Sequence, residues 1–255
     1  MKGLIAAGGN ATRLEELTRV TNKHLLPVGH WPMVYYPLQL LQRAGVREVL
    51  IVTGQQHAGQ FIDLLGNGHV VSRSGGELLF DLDLSYKVQV TAGGIAQVVG
   101  MAREFAAGDQ LVVCLGDNIF EYAQSAAIDS WSDGAMVFVK EVPDPGNFGV
   151  VVYDETGGVT DIVEKAGVVD TRYASPPSRD AVVGLYCYPP DVFEIIDGLA
   201  PSNRGELEIT DVNRVYAQRG DLAVRRVDGW WHDGGKHWAD LADIGRRIEE
   251  TGANK

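Results

Sequence analysis

KGLIAAGGNATRL, residues 2–14, runs an apolar strand directly into a loop of small residues that ends on a guanidinium. Gly8 and Gly9 leave backbone N–H groups uncovered, and Arg13 adds a fixed positive charge, so the loop has the outline of an anion site. As the first strand of a wound sheet, it puts that loop at the carboxyl edge, where open α/β sheets hold ligands. Two common phosphate motifs are excluded. The third and sixth positions of a G-x-G-x-x-G fingerprint fall on Asn10 and Arg13, and the nearest echo of a P-loop, Gly229 to Lys236, has the wrong spacing and runs into His237.

Outward from that stretch, apolar runs alternate with helical periods. EVLIVT (48–53), YKVQV (86–90), QLVVCL (110–115) and GAMVFVK (134–140) read as strands, with helices expected over about 33–44, 57–65 and 94–106. Strands this continuously apolar belong to a mostly parallel sheet covered on both faces, so the first half predicts a doubly wound α/β fold. Beyond Asn147 the pattern changes: FGVVVYD and VTDIVEK flank Glu155 to Gly158 and predict a hairpin. AVVGLYCY (181–188) predicts another strand, Glu208 to Gln218 a helix, and Trp238, Leu241, Ile244 and Ile248 one stripe of a last helix. Residues 166–180, with adjacent prolines, read as the longest loop.

The chain has 255 residues, 45% hydrophobic and 22% charged, and its net charge of −12 argues against a surface made to grip nucleic acid or anionic lipid. Its N-terminus turns into Gly-Gly too soon for an export signal, and Cys114 and Cys187 lie inside apolar runs, where reduced buried thiols are expected. A cytoplasmic protein that acts on small molecules is the expectation. Self-association is left open.

Three further positions carry charge where the chemistry could use it. Lys23 stands at the edge of an apolar segment, Asp117 ends a buried strand at the sheet's ligand edge, and Asp233 follows Trp230, Trp231 and His232. A carboxylate so placed suits a hard cation shared with phosphate oxygens. The trio His232, Asp233 and His237 has no thiolate or third histidine nearby and does not read as a transition-metal site.

In this order AAGGNATRL, NKHLLPV, PMVYYPL, GGIAQ, LGDNIF, FGVV, Glu164-Lys165, VGLYCY, RGELEITDVN and WWHDGG span almost the whole chain. Together they resemble the sugar-1-phosphate nucleotidyltransferases, and most closely the short-form glucose-1-phosphate thymidylyltransferases. The resemblance implies a Rossmann-like, mixed but mostly parallel sheet with an inserted sugar-binding β subregion. It implies one domain, with a nucleotide half over about 1–120, a sugar-phosphate half over about 121–235 and a C-terminal helix. By the same resemblance Gly8, Gly9, Ala11, Thr12, Gln89 and Gly94 hold the nucleotide, while Arg13 and Lys23 neutralise the departing pyrophosphate. Asp117 and Asp233 hold Mg²⁺, and Gly149, Glu164, Lys165 and Val182 surround the sugar phosphate.

The implied reaction is NTP + sugar 1-phosphate → NDP-sugar + pyrophosphate, with dTTP and glucose 1-phosphate as the leading pair. Another NTP, another sugar or cyclitol phosphate, or a weakly active nucleotide-sugar-binding homologue are the alternatives. Departures from the family pattern bear on that choice. Ala11 stands where a third glycine is usual, Ala166 replaces a proline, Val183 replaces a threonine, and 166–180 is longer than the family's connection. That long loop reads either as neutral surface drift or as a lid over the sugar pocket.

Overall fold

The computed structural model describes residues 1–9, 12–234 and 237–255, together with all their side chains except those of Thr12, Arg13 and Glu15. Ala11 therefore lies outside the described residues, as does the Gly235-Lys236 pair. In chain order the elements used below are β1 (Lys2–Ala7), α1 (Tyr35–Arg43), β2 (Glu48–Gly54), α2 (Ala58–Leu65), β3 (Asp83–Gln89), α3 (Ile95–Met101), β4 (Leu111–Leu115) and β5 (Asn118–Phe120). They continue with β6 (Ala135–Glu141), β7 (Gly149–Tyr153), β8 (Val159–Glu164), β9 (Asp180–Tyr188), α4 (Ile209–Arg219), β10 (Leu222–Arg226), β11 (Trp231–Asp233) and α5 (Trp238–Thr251).

The chain divides into two compact units, one made of Met1–Ala92, Val112–Ser130 and Asp228–Lys255, the other of Gly93–Leu111 and Trp131–Val227. The sequence division at about 120 and 235 differs from this. Residues 93–111 belong with the second unit, and the chain returns to the first at 112 and again at 228.

In the first unit the strands lie in the order β4-β1-β2-β3, with β1 and β2 parallel at Ile5↔Ile51 and β2 and β3 parallel at Gly54↔Gln89. Their apolar runs are buried almost throughout: Leu4, Ile5, Val49, Ile51, Val112 and Val113 have no more than trace exposure. That burial on both faces is what a continuous apolar strand requires. From α1 the side chains of Tyr36, Leu38, Leu40 and Leu41 enter the core. From α5, Ile244 and Ile248 join Val28, Met33, Tyr36, Ile119 and Trp230, with Leu241 packed against them. Trp238 departs from the expected stripe, being 61% exposed. It is the first residue of its helix and lies outside that cluster, so the inward stripe starts one turn later.

The second unit is mixed. β6 runs antiparallel to β9 and parallel to β10, while β7 and β8 form the expected hairpin with Gly149↔Glu164 and Val151↔Ile162 in register. Asp154 closes its turn, the carboxylate accepting from the amides of Thr156 and Gly158, both at 2.8 Å. One helix expected over 94–106 is two, Ile95–Met101 and Arg103–Ala106. A short antiparallel pair at His69–Val71 and Leu78–Asp81 escaped the sequence reading, because three- and four-residue strands leave almost no period to detect. The fold is α/β and doubly wound, with a mixed, mostly parallel sheet to which the β7–β8 hairpin is added. Both cysteines are free and buried, and burial pushes both thiols up.

Candidate active site

β1 ends at Ala7, and the next residue sits against the end of β3. A β-carbon on Gly8 would lie 2.5 Å from the Gln89 Oε1, so a side chain at this position would push the end of Gln89 aside. Gly9 follows with φ +95°, a conformation that L side chains avoid. Thr12 and Arg13 begin a 3₁₀ helix, Thr12–Thr18.

Asn22 ties this loop to Lys23. Its Nδ2 donates to the carbonyl of Ala7 at 3.1 Å, and its Oδ1 accepts from the His24 amide at 2.9 Å. Burial, with the Lys23 ammonium beside it, pulls the His24 imidazole down to about 3. The ring is therefore neutral and places Nδ1 2.6 Å from the same Oδ1, as a donor. Lys23 emerges beside this lock. Together with Gly9, Asn22, Gln55, His57 and Gln89 it lines a polar cavity of about 350 Å³.

Asp117, just beyond β4, is 8% exposed. Burial alone would raise its pKa, but the Lys23 ammonium, with the Asn118 amide, outweighs that and holds the carboxyl well below the usual range. Lys23 donates to Oδ2, and Asn118 Nδ2 donates to Oδ1 at 2.9 Å. β5 and β11 then pair antiparallel, with Asp233 opposite Asn118. The Trp231 indole donates to Asn118 Oδ1 at 2.6 Å and the Gly234 amide to the Asp117 carbonyl at 2.8 Å. Asp117 and Asp233 thus stand one position out of register on paired segments. Among the described residues no cluster of three or more His, Cys, Asp or Glu side chains is placed to hold a metal. Two carboxylates, one kept ionised, are the hard oxygen donors that Mg²⁺ takes when phosphate oxygens complete its shell, so the residues fit that ion.

The second unit carries the other candidates. Gly149 faces Glu164 across the β7–β8 hairpin, and a β-carbon there would lie 3.0 Å from Thr210 Oγ1 and 3.2 Å from Glu164 Oε2. Thr210, on α4, donates to Glu164 Oε2 at 2.5 Å. Lys165 Nζ is 3.5 Å from Glu164 Oε1, and Arg204 reaches the same oxygen at 3.8 Å while holding Glu208 at 2.8 Å. Val182 is half-buried against Val139, Val151 and Ile162, an apolar contact, and Val183 is 1% exposed. Gly94 has φ +94° and stands where a β-carbon would strike the carbonyl of Leu207; that carbonyl accepts from Ala96 at 3.2 Å. The fold of the second unit thus needs a glycine there on its own account.

The sequence profile of the nucleotidyl transferase family matches residues 2–251. The chain belongs to that family. It is 40% identical over 244 residues to a glucose-1-phosphate thymidylyltransferase of Neisseria meningitidis, covering 93% of this chain and 79% of the relative. The corresponding protein of Mycobacterium tuberculosis is 37% identical over 258 residues, covering 98% and 83%. A solved Bacillus anthracis structure, given as a candidate glucose-1-phosphate thymidylyltransferase in complex with a sucrose, superposes with a TM-score of 0.83 at 39% identity and covers 97% of this chain and 96% of its own. An apo UDP-glucose pyrophosphorylase, 21% identical with a TM-score of 0.83, shares the fold.

Asn118, Thr210 and Arg204 bond to candidate residues, Asn22 and Trp231 brace the residues beside them, and none of the five was singled out from the sequence. Their signal was present in NKHLLPV, LGDNIF, WWHDGG and RGELEITDVN, but spacing alone does not say which polar side chain in a motif turns inward.

Proposed function

We propose that the chain transfers a thymidylyl group from dTTP to glucose 1-phosphate, releasing pyrophosphate. The observation that carries the reading is the buried Lys23–Asp117 pair beside the cavity under Gly9 and Gln89. It supplies a cation and an ionised carboxylate at the place where a family member must manage a triphosphate. The naming of the relatives supports the choice of substrates.

The chemistry asks little of an acid or base. A phosphate oxygen of the sugar 1-phosphate is already anionic; it forms a bond to the α-phosphorus, and the bond from that phosphorus to the oxygen bridging to the β-phosphorus breaks. The electron pair leaves with pyrophosphate, so positioning and charge neutralisation are what the protein contributes. In this reading Arg13 and Lys23 face the leaving group, Gln89 orients the base, and Lys165 faces the sugar phosphate. Glu164, whose Oε2 is already engaged by Thr210, takes sugar hydroxyls through its other oxygen. Asp117 and Asp233 would hold Mg²⁺, which when bound polarises phosphate oxygens and draws charge from the transition state. A cytoplasmic location goes with these substrates. Among the described residues no helix is long and apolar enough to cross a membrane.

Pyrophosphate release measured over a matrix of dTTP, UTP, CTP and GTP against glucose, galactose and mannose 1-phosphates tests the reading. The expected maximum is dTTP with glucose 1-phosphate. A maximum elsewhere would overturn the substrates while leaving the reaction, and no release from any pair would overturn both.

A further inference from the structure

Lys165 carries a backbone that its residue type does not favour. Its φ is +41°, in the left-handed region where a side chain other than glycine or asparagine is uncommon. The conformation is held from both sides. Its amide donates to the carbonyl of Phe148 at 3.1 Å, and its own carbonyl accepts from the amides of Val168 and Val169 at 2.9 and 3.0 Å. The turn then closes on itself: the Asp170 amide donates to the Glu164 carbonyl at 3.0 Å, and the Gly167 amide to the Asp170 carbonyl at 2.9 Å. So the first residues of the long 166–180 segment are a fixed turn beneath Glu164-Lys165. The expectation of a lid does not describe them.

Asp170 is the end of this turn, and it is clamped. Its carboxylate, in a residue 9% exposed, accepts from Arg172 Nη2 at 2.6 Å and from Arg214 Nη2 at 2.9 Å. Arg214 belongs to α4 and also holds Asp161 of β8 at 3.0 Å and the Ile162 carbonyl at 3.1 Å. Arg172 reaches the other oxygen of Asp161 at 2.8 Å. Two guanidinium groups therefore bridge two carboxylates that flank Glu164-Lys165 in the chain, Asp161 before and Asp170 after. One turn earlier on the same helix, Thr210 holds the Glu164 carboxylate. The helix thus fixes the side chain of Glu164 and the backbone around Lys165 from one face.

We infer that Asp170 and Arg214 are positioning residues which hold Lys165 in its left-handed conformation and so aim its ammonium at the sugar phosphate. The inference rests on the assignment of Lys165 to the sugar-phosphate side made above. Both act through the turn, so their loss raises the KM for the sugar phosphate and leaves the KM for the NTP alone.

The test uses the full chain with Asp170→Asn and, as a second variant less exposed to folding failure, Arg172→Gln. Initial rates are measured with each substrate varied against a saturating partner, beside a thermal melt. The expected result is a KM for the sugar phosphate raised about tenfold, below the roughly 100-fold that a full 1 Å misplacement can cost, with the KM for the NTP unchanged within about twofold. A loss of Tm with both KM values moved equally, or with neither moved, would overturn the inference. If the unaltered chain transfers nucleotide to no sugar phosphate, the reading of function fails by itself. The clamp is then judged by amide hydrogen exchange at Val168, Val169 and Asp170: faster in Asp170→Asn supports it, unchanged overturns it.

Discussion

Lys23 closes an ion pair with Asp117, 94 residues further along the chain, and both side chains are mostly buried, at 16% and 12% exposure. Two buried charges persist because each is the other's partner, and removing one leaves the other costly. Asp117→Asn keeps the shape and strands the ammonium. Nucleotidyl transfer should fall by about 10²–10³, the usual cost of losing a preorganised charge-stabilising group, and the melt should drop by a few kcal/mol, on the order of 3–5 for a broken buried pair. Asp233→Asn should lose activity to the same degree with a smaller change in the melt. Pyrophosphate release with and without EDTA completes the comparison: full activity in EDTA, or in either variant, would remove the metal assignment.

Two glycines of the candidate site separate binding from folding. The obstacle to a β-carbon at Gly8 is the far end of the Gln89 side chain, which can swing away. Gly8→Ala should therefore leave the melt nearly unchanged and raise the KM for the NTP, because Gln89 is displaced from the cavity. At Gly94 the obstacle is backbone, the Leu207 carbonyl, and φ is positive. Gly94→Ala should cost about 1–3 kcal/mol of stability, the range for strained backbone positions, wherever its effect on activity falls. Parallel melts and dTTP titrations of the two variants check the contrast, and equal melts would count against it.

What the sequence showed and what it hid follow from reach. β2 and β4 were plain because Val49 to Val52 and Leu111 to Cys114 are apolar at every position, a local signal. The hairpin was plain because the turn-rich Glu155 to Gly158 separates two strand-like runs. The Lys23–Asp117 pair was not, since each residue reads alone as a charge at the end of an apolar run. Asp170 and Arg214, 44 residues apart, were hidden for the same reason, and 166–180 looked loose because its anchor lies on a distant helix. Nor does β-α alternation say which compact unit an element joins, so Gly93–Leu111 was placed with its neighbours in sequence. Trp238 shows the same limit at smaller scale: periodicity gives the face of a helix and not where its partner ends.

The Asp161–Asp170–Arg172–Arg214 cluster gives a pH dependence of stability with a definite sign. Hydrogen bonds from Arg172 hold the Asp170 carboxyl below the ordinary aspartate value of 3.8. A folded value below the unfolded one means the stabilisation is complete above the unfolded value and is lost as pH falls through the folded one. The chain should lose stability on acidification below about pH 4, and Asp170→Asn should melt with a shallower acid limb. Denaturant unfolding at a series of pH values down to about pH 3 reads both slopes, and identical limbs would contradict the assignment.

Arg13 and Lys165 are assigned to different anions, the departing pyrophosphate and the sugar phosphate, and that division is open to a direct test. Lys165 stands on the β8 edge with its ammonium 3.5 Å from Glu164, in the second unit, whereas Arg13 follows the Gly8-Gly9 loop in the first. A cation that stabilises only the leaving group acts most in the transition state, so Arg13→Ala should lower kcat and kcat/KM for the NTP together. A cation that holds the incoming phosphate before and during transfer acts in the ground state too, so Lys165→Ala should show most of its loss in the KM for the sugar phosphate. Each loss should be about 10²-fold, the lower end for a charge-stabilising group. Lys165→Arg adds a control for charge without shape, since the planar guanidinium is not a point charge and should recover only part of the binding. Steady-state kinetics with both substrates varied, on variants whose circular dichroism matches the unaltered chain, decide the matter: equal losses toward both substrates in both variants would show that one shared anion site, rather than two, governs the reaction.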